Sequence, residues 1–169
     1  MTAAPGWYPP EVTPRPMLAE EQAVGNAFIW LLSCLPFGVG ILMLTWNPEV
    51  HTYIASTGYL SIDRTYIFTA SYFATVIGLL LTYGATVVLA VFDYRWLSRK
   101  GVVRPFSWAW SFAGGVPYVI GRAVIIHKVA PRRGLWPIAV IVSGWGLYFV
   151  AGFAKMLPFM QSVFYELGY

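Results

Sequence analysis

Two stretches of this chain, 27–46 ("AFIWLLSCLPFGVGILMLTW") and 66–92, run without a single charged side chain. A helix of about 20 apolar residues spans the hydrocarbon core of a bilayer. There the backbone must satisfy its own hydrogen bonds, which leaves a lone segment little choice but helix. A third run, 135–157, carries only Lys155 near its end, where a long amine can reach the headgroups. With 58% hydrophobic and 11% charged residues, against about 25% charged in an ordinary soluble domain, the composition excludes a soluble globular protein. The expected fold class is therefore an all-α integral membrane protein. It has three firm transmembrane helices, and a fourth segment, 106–127, that either spans as a kinked helix or re-enters.

Two units follow from the apolar pattern. Residues 1–25 hold five of the twelve prolines and no apolar periodicity, so they read as an extended, cytoplasmic Pro-rich tail, poorly ordered on its own. Glu20 and Glu21 stand where a secretory signal would be basic, and they read as a solvated helix start. Residues 26–169 form the helical membrane domain. Pro36, Gly38 and Gly40 predict a kink in its first span. The polar connection 47–66 ("NPEVHTYIASTGYLSIDRTY") suits a short hairpin or a surface helix. The lone cysteine, Cys34, precludes a disulfide within the chain and reads as a small buried apolar residue.

In the second span Ala70, Ala74, Gly78, Thr82, Thr86 and Ala90 recur at every fourth position. Small residues so spaced let helix backbones approach closely, and Ala70, Ala74, Gly78 and Thr82 are the candidate packing seam. After that span come Arg95, Arg99, Lys100 and Arg104 against Asp93 alone. By the positive-inside rule this loop faces the cytoplasm, so the N-terminus does too.

A second basic cluster, Lys128, Arg132 and Arg133, lies beyond the stretch "AWSFAGGVPYVIGRAVIIH". A simple crossing would leave one cluster outside. A re-entrant hairpin bent at Gly114, Gly115 and Pro117 keeps both inside. It also spares Arg122 a central position, which costs about 2.5–3.5 kcal/mol on the lenient insertion scale. The competing geometry is one kinked helix with Ser107, Ser111, Gly115, Tyr118 and Arg122 on a single face. In either case Arg122 needs a counterpart: Asp93, lipid phosphate, or a cation–π contact with Tyr118. Ser111, Gly115, Tyr118, Arg122 and Asp93 are accordingly the candidate pathway or buried polar group. The seven basic residues Arg95, Arg99, Lys100, Arg104, Lys128, Arg132 and Arg133 are the candidate anionic-lipid rim.

No Walker loop, HExxH, CxxC or complete Gly-x-Gly-x-x-Gly occurs, and no metal, cofactor or catalytic residue is expected. His51 and His127 lie in different connections, on opposite sides of the membrane in this topology. The net charge of +4 is gathered at membrane edges among tryptophans, which points to anionic headgroups rather than nucleic acid.

"APGWYPPE" resembles the Gly-Trp-Tyr-Pro element of small polytopic membrane proteins of unknown function from high-GC Gram-positive bacteria. In this copy Pro-Glu stands for the usual Asp-Pro, and the following Trp-Asp-Gly is missing. The block "FDYRWLSRKGVVRPFSWAWSFAGGVPYVIGRAVIIHK" is similar to a segment of such proteins at Asp93, Leu97, Gly101, Pro105, Trp108, Trp110, Pro117, Tyr118, Gly121 and Arg122. The resemblance implies a location in the bacterial cytoplasmic membrane and this architecture, with no known activity. The leading functional expectation is a non-catalytic accessory or scaffolding subunit whose partners are anionic lipid and other membrane subunits or copies of itself. The alternatives are a small oligomeric channel or transporter with an Arg122-lined pathway, and a lipid-acting enzyme, for which no nucleophile and base are recognisable.

Overall fold

A computed structural model describes residues 15–166. The Gly-Trp-Tyr-Pro element therefore lies outside the described residues. From Arg15 to Gly25 the chain is irregular apart from a turn at 20–22, so Glu20 and Glu21 begin no helix. Helix α1 (Ala27–Thr45) starts where Asn26, in an extended conformation, caps it through a bond from the Ile29 N–H to its side-chain oxygen, 3.0 Å. Pro36 sits inside α1 without ending it.

The connection that follows forms a two-stranded antiparallel ribbon, β1 (Thr52–Ile54) and β2 (Leu60–Ile62), with Tyr53 opposite Ser61, and then a 3-10 turn at Arg64–Tyr66. Asp63 opens that turn by accepting the N–H and hydroxyl of Thr65. Those bonds hold its carboxyl below the usual carboxylate range.

Helix α2 (Ala70–Arg99) begins four residues later than the uncharged run and continues past its end, because Asp93 to Arg99 extend the helix beyond the apolar stretch. After a 3-10 segment, Trp108–Ala113, come α3 (Gly115–Val129) and α4 (Trp136–Glu166). The last of these outruns the expected 135–157 and carries Pro158 within it. Three helices, α1, α2 and α4, are long and apolar enough to cross a membrane. The chain is a mostly helical, multi-pass membrane protein, with the small ribbon as its only strands among the described residues.

Glycine contacts give the directions of the helices. A Cβ on Gly78 of α2 would lie 2.7 Å from Leu42 of α1, while at the other end Asn26 reaches Asp93, so α1 and α2 are antiparallel. Gly144 abuts Pro36 and Phe37, Gly40 abuts Leu147 and Gly152 abuts Met43, so α1 and α4 run parallel at close range. Only Gly can supply such proximity without displacing a neighbour.

The segment between α2 and α4 doubles back. Tyr83, near the middle of α2, donates its hydroxyl to the carbonyl of Phe112, 3.1 Å. The chain then turns at Gly114, whose φ of 114° excludes most side chains. Its return leg, α3, descends past Asp93 and ends where the Val129 carbonyl accepts the N–H of Leu18, 2.9 Å. The two legs meet where Phe106 lies against Gly121, so tightly that a Cβ there would clash with the ring. Gly121→Ala should therefore cost about 1–3 kcal/mol by overpacking. Thermal unfolding in mild detergent checks this, with Gly84→Ala, in open space on α2, as the unaffected control.

The single-helix alternative for 106–127 is thus replaced by two helical pieces broken at Gly114, and the polar residues that shared one face on a helical wheel separate. The expectation for Cys34 also changes. It is exposed on α1, because the buried stripe of that helix follows Ile29, Leu32, Ser33, Pro36, Val39 and Gly40.

Candidate functional site: a buried ion pair under an N-terminal strap

Helical spacing assembles the site. Ala90 and Asp93 are three apart on α2, and Tyr118 and Arg122 four apart on α3, so each pair shares a helix face and the two faces meet. Asp93 is 0% exposed and Arg122 2%, making them the charged pair of the core. Arg122 Nε donates to Asp93 Oδ2 at 2.7 Å, the Tyr118 hydroxyl donates to the same oxygen at 2.7 Å, and Asn26 Nδ2 donates to Oδ1 at 2.7 Å. A second guanidinium nitrogen, Nη2, donates to the carbonyl of Val24 at 2.8 Å. The Tyr118 oxygen also lies 3.2 Å from the Ala90 carbonyl.

Asn26 has two tasks. Its oxygen caps α1 and its amide nitrogen binds Asp93. That bond sets the carboxylate beside the N-terminus of α1, where the helix dipole favours negative charge. The buried carboxylate has three donors, and the guanidinium opposed to it spends one N–H on Asp93 and one on the Val24 carbonyl, which offsets much of the cost of burying the pair. The pair also lies near one end of the bundle, level with the start of α1 and about 9 Å along the axis from Arg99.

The other site candidates fall elsewhere. Ser111 is buried but spends its hydroxyl on the Trp108 carbonyl, 2.7 Å. A Cβ on Gly115 would meet Ile141, Thr86 and Leu32, apolar or methyl-bearing groups at the hairpin tip. Ser107 caps the 3-10 segment. Tyr118 engages Asp93 with its hydroxyl rather than Arg122 with its ring. Of the packing stripe, Gly78 contacts α1 and Thr82 is half-buried, whereas Ala70 and Ala74 are exposed. Arg95, Arg99, Lys100, Arg104, Lys128 and Arg132 are exposed at the end of the bundle that holds the ion pair. Arg133 is half-buried and committed to the strap, as described below.

At the opposite end, Lys155 donates to Asn47 Oδ1, and Thr52 donates to Glu166 at 3.0 Å. His51 meets Glu49 there at 3.1 Å. His127 accepts the Arg132 N–H at the other end, 3.3 Å, so the two histidines lie far apart. Among the described residues no group of three or more His, Cys, Asp and Glu side chains is placed to hold a metal ion.

Sequence reading missed the strap. Residues Arg15 to Asn26 lie across the end of the bundle, bridging the 100–104 loop and the end of α3. Arg15 donates to the carbonyls of Val103 and Arg104 at 3.2 and 3.3 Å, and Gln22 donates to that of Lys100. From the other side Arg133 donates to the carbonyls of Glu20, Gln22 and Ala19 at 2.8, 3.1 and 3.3 Å. Val24 packs with Leu97, Val102, Ile126 and Ala130. No periodic signal marks such a segment; two basic residues bonding to carbonyls look like any others in a sequence.

No family model, curated protein or solved structure matches this chain.

Proposed function

We propose that this protein is a non-catalytic accessory or scaffolding subunit of a bacterial cytoplasmic-membrane assembly. In this reading its N-terminus is cytoplasmic, its 106–127 hairpin is re-entrant, and its basic rim rests on anionic lipid. One observation carries the reading: the charged groups of the core are spent on one another. Asp93 has three donors, and Arg122 divides itself between Asp93 and the Val24 carbonyl, so the polar core fastens α2, α3 and the strap together. An anion pathway would need that guanidinium turned to a lumen. Meanwhile α2 and α4 keep long apolar faces outward, among them Phe73, Ile77, Leu80, Leu81, Phe149 and Phe153. Lipid or a neighbouring subunit covers such faces equally well.

The decisive experiment is isolation in mild detergent with identification of copurifying chains. Ala74→Leu, on the exposed face of α2, should reduce partner recovery several-fold while changing the isolated chain's unfolding free energy by no more than ordinary surface substitutions do, about ±0.5 kcal/mol. A protein that purifies alone, and that conducts anions in liposomes, would replace the scaffold with the channel reading.

The lipid rim has its own test. Neutralising Arg99, Lys100 and Arg132 together should release acidic phospholipid in native mass spectrometry, because each basic residue near such a surface contributes about 1 kcal/mol.

A further inference from the structure

The strap and the basic rim draw on the same side chains. Arg133, at the end of the hairpin, is held by three neutral carbonyls of the strap. A phosphodiester would offer it charge-assisted, bidentate bonds of about twice the strength. Glu20 and Glu21, both exposed, lie on the strap between two basic clusters whose other members point to solvent. An anionic surface therefore attracts the rim and repels the strap. The strap's own attachment is mostly peripheral. Its bonds through Arg15, Gln22 and Arg133 are largely solvent-exposed, and its deeper ties are few: the Leu18 N–H to Val129, the Val24 side chain, and the Val24 carbonyl on Arg122. Exposed hydrogen bonds over few apolar contacts mark the segments that open first.

We propose that the strap is a displaceable latch over the ion pair, and that anionic phospholipid headgroups, competing for Arg133, open it. The proposal rests on the lipid-binding reading of the rim and adds regulation to it. Opening removes the Val24 carbonyl from Arg122, so the state of the membrane surface is communicated to the buried pair. The Asn26 bond to Asp93 and its cap on α1 form the hinge at which the opening stops.

The test uses the full chain with Cys34→Ser and spin labels on Ala19→Cys and Ser98→Cys, both exposed positions on strap and bundle, which leaves Glu20 and Glu21 in place. The distance between labels is read in nanodiscs of phosphatidylcholine alone, and of phosphatidylcholine with phosphatidylglycerol at about three to one. Neutral discs should give one short, narrow distance. Acidic discs should move the ratio of open to closed roughly tenfold toward a longer, broader one, the effect of one charge-assisted bond. Arg133→Gln should shift toward the longer distance already in neutral discs and respond little to phosphatidylglycerol.

The titration of the labelled chain with Arg133 intact can overturn the idea unaided. A short distance in acidic discs that retain bound phosphatidylglycerol by native mass spectrometry would reject the latch while leaving the lipid rim intact. A short distance without bound phosphatidylglycerol would remove both readings. Opening in neutral discs on addition of inorganic phosphate would overturn the assignment to lipid and transfer the site to a free anion.

Discussion

Arg122→Met is expected to destabilise the protein by about 3–5 kcal/mol, the cost of leaving a buried carboxylate without its counter-charge. Asp93 would keep Asn26 and Tyr118 as donors but would face an apolar side chain where the guanidinium stood. Asp93→Asn is the milder of the two single changes at Asp93 and Arg122. The amide oxygen can still accept from Tyr118 and Arg122, and Arg122 retains the Val24 carbonyl. The double variant Asp93→Asn, Arg122→Met should recover a substantial part of the single Arg122 loss, since no unpaired charge remains. Arg122→Lys preserves the charge but lacks the planar fork that serves Asp93 and Val24 at once, and should fall between. Chemical unfolding in mild detergent, run as a double-mutant cycle, measures all of these. An Arg122→Met protein as stable as the wild type would remove the pair from any structural role.

That network shows how far sequence reading reaches. Asp93 and Arg122 could be nominated as partners because each is an isolated charge at an apolar border, and charge in such a setting demands compensation. Asn26 could not be nominated, because a polar residue before an apolar run is sufficiently explained as a helix cap; its second bond depends on where α2 lies. The helices α2 and α4 extend beyond their apolar runs for a related reason. Hydropathy registers where a helix leaves apolar surroundings, whereas the backbone continues as helix until something stops it, as Gly101 does at φ 82° after α2. Cys34 is exposed because a residue type common in cores says nothing about which side of a uniformly apolar helix faces its neighbours. Arg133 shows the converse case: it was grouped with the rim on charge, although its bonds tie it to the strap.

The second large expected effect concerns topology, and it is all-or-none. In the bundle, α1 and α4 run one way and α2 the other, while the hairpin leaves and returns at the same end. If α1, α2 and α4 each cross the bilayer, the chain crosses three times. Lys100 and Arg132 then share a side with the strap, and the ribbon at Thr57 lies with the end of α4 on the other. Basic residues crowd the first side, and on the proposed orientation the positive-inside rule puts that side in the cytoplasm. The return leg from the turn at Gly114 places Tyr118, Val119 and Arg122 in the core, as a hairpin packed on the other helices requires. Single cysteines in a Cys34→Ser background, at exposed positions Lys100, Arg132, Thr57 and Glu166, should divide two and two toward an impermeant thiol reagent on intact cells. Thr57→Cys and Glu166→Cys should label, and Lys100→Cys and Arg132→Cys should label only after the membrane is opened. Labelling of Arg132→Cys from outside, with Glu166→Cys protected, would require the hairpin to unfold into a fourth span. Asp93 and Arg122 would then no longer lie at the level where they now meet.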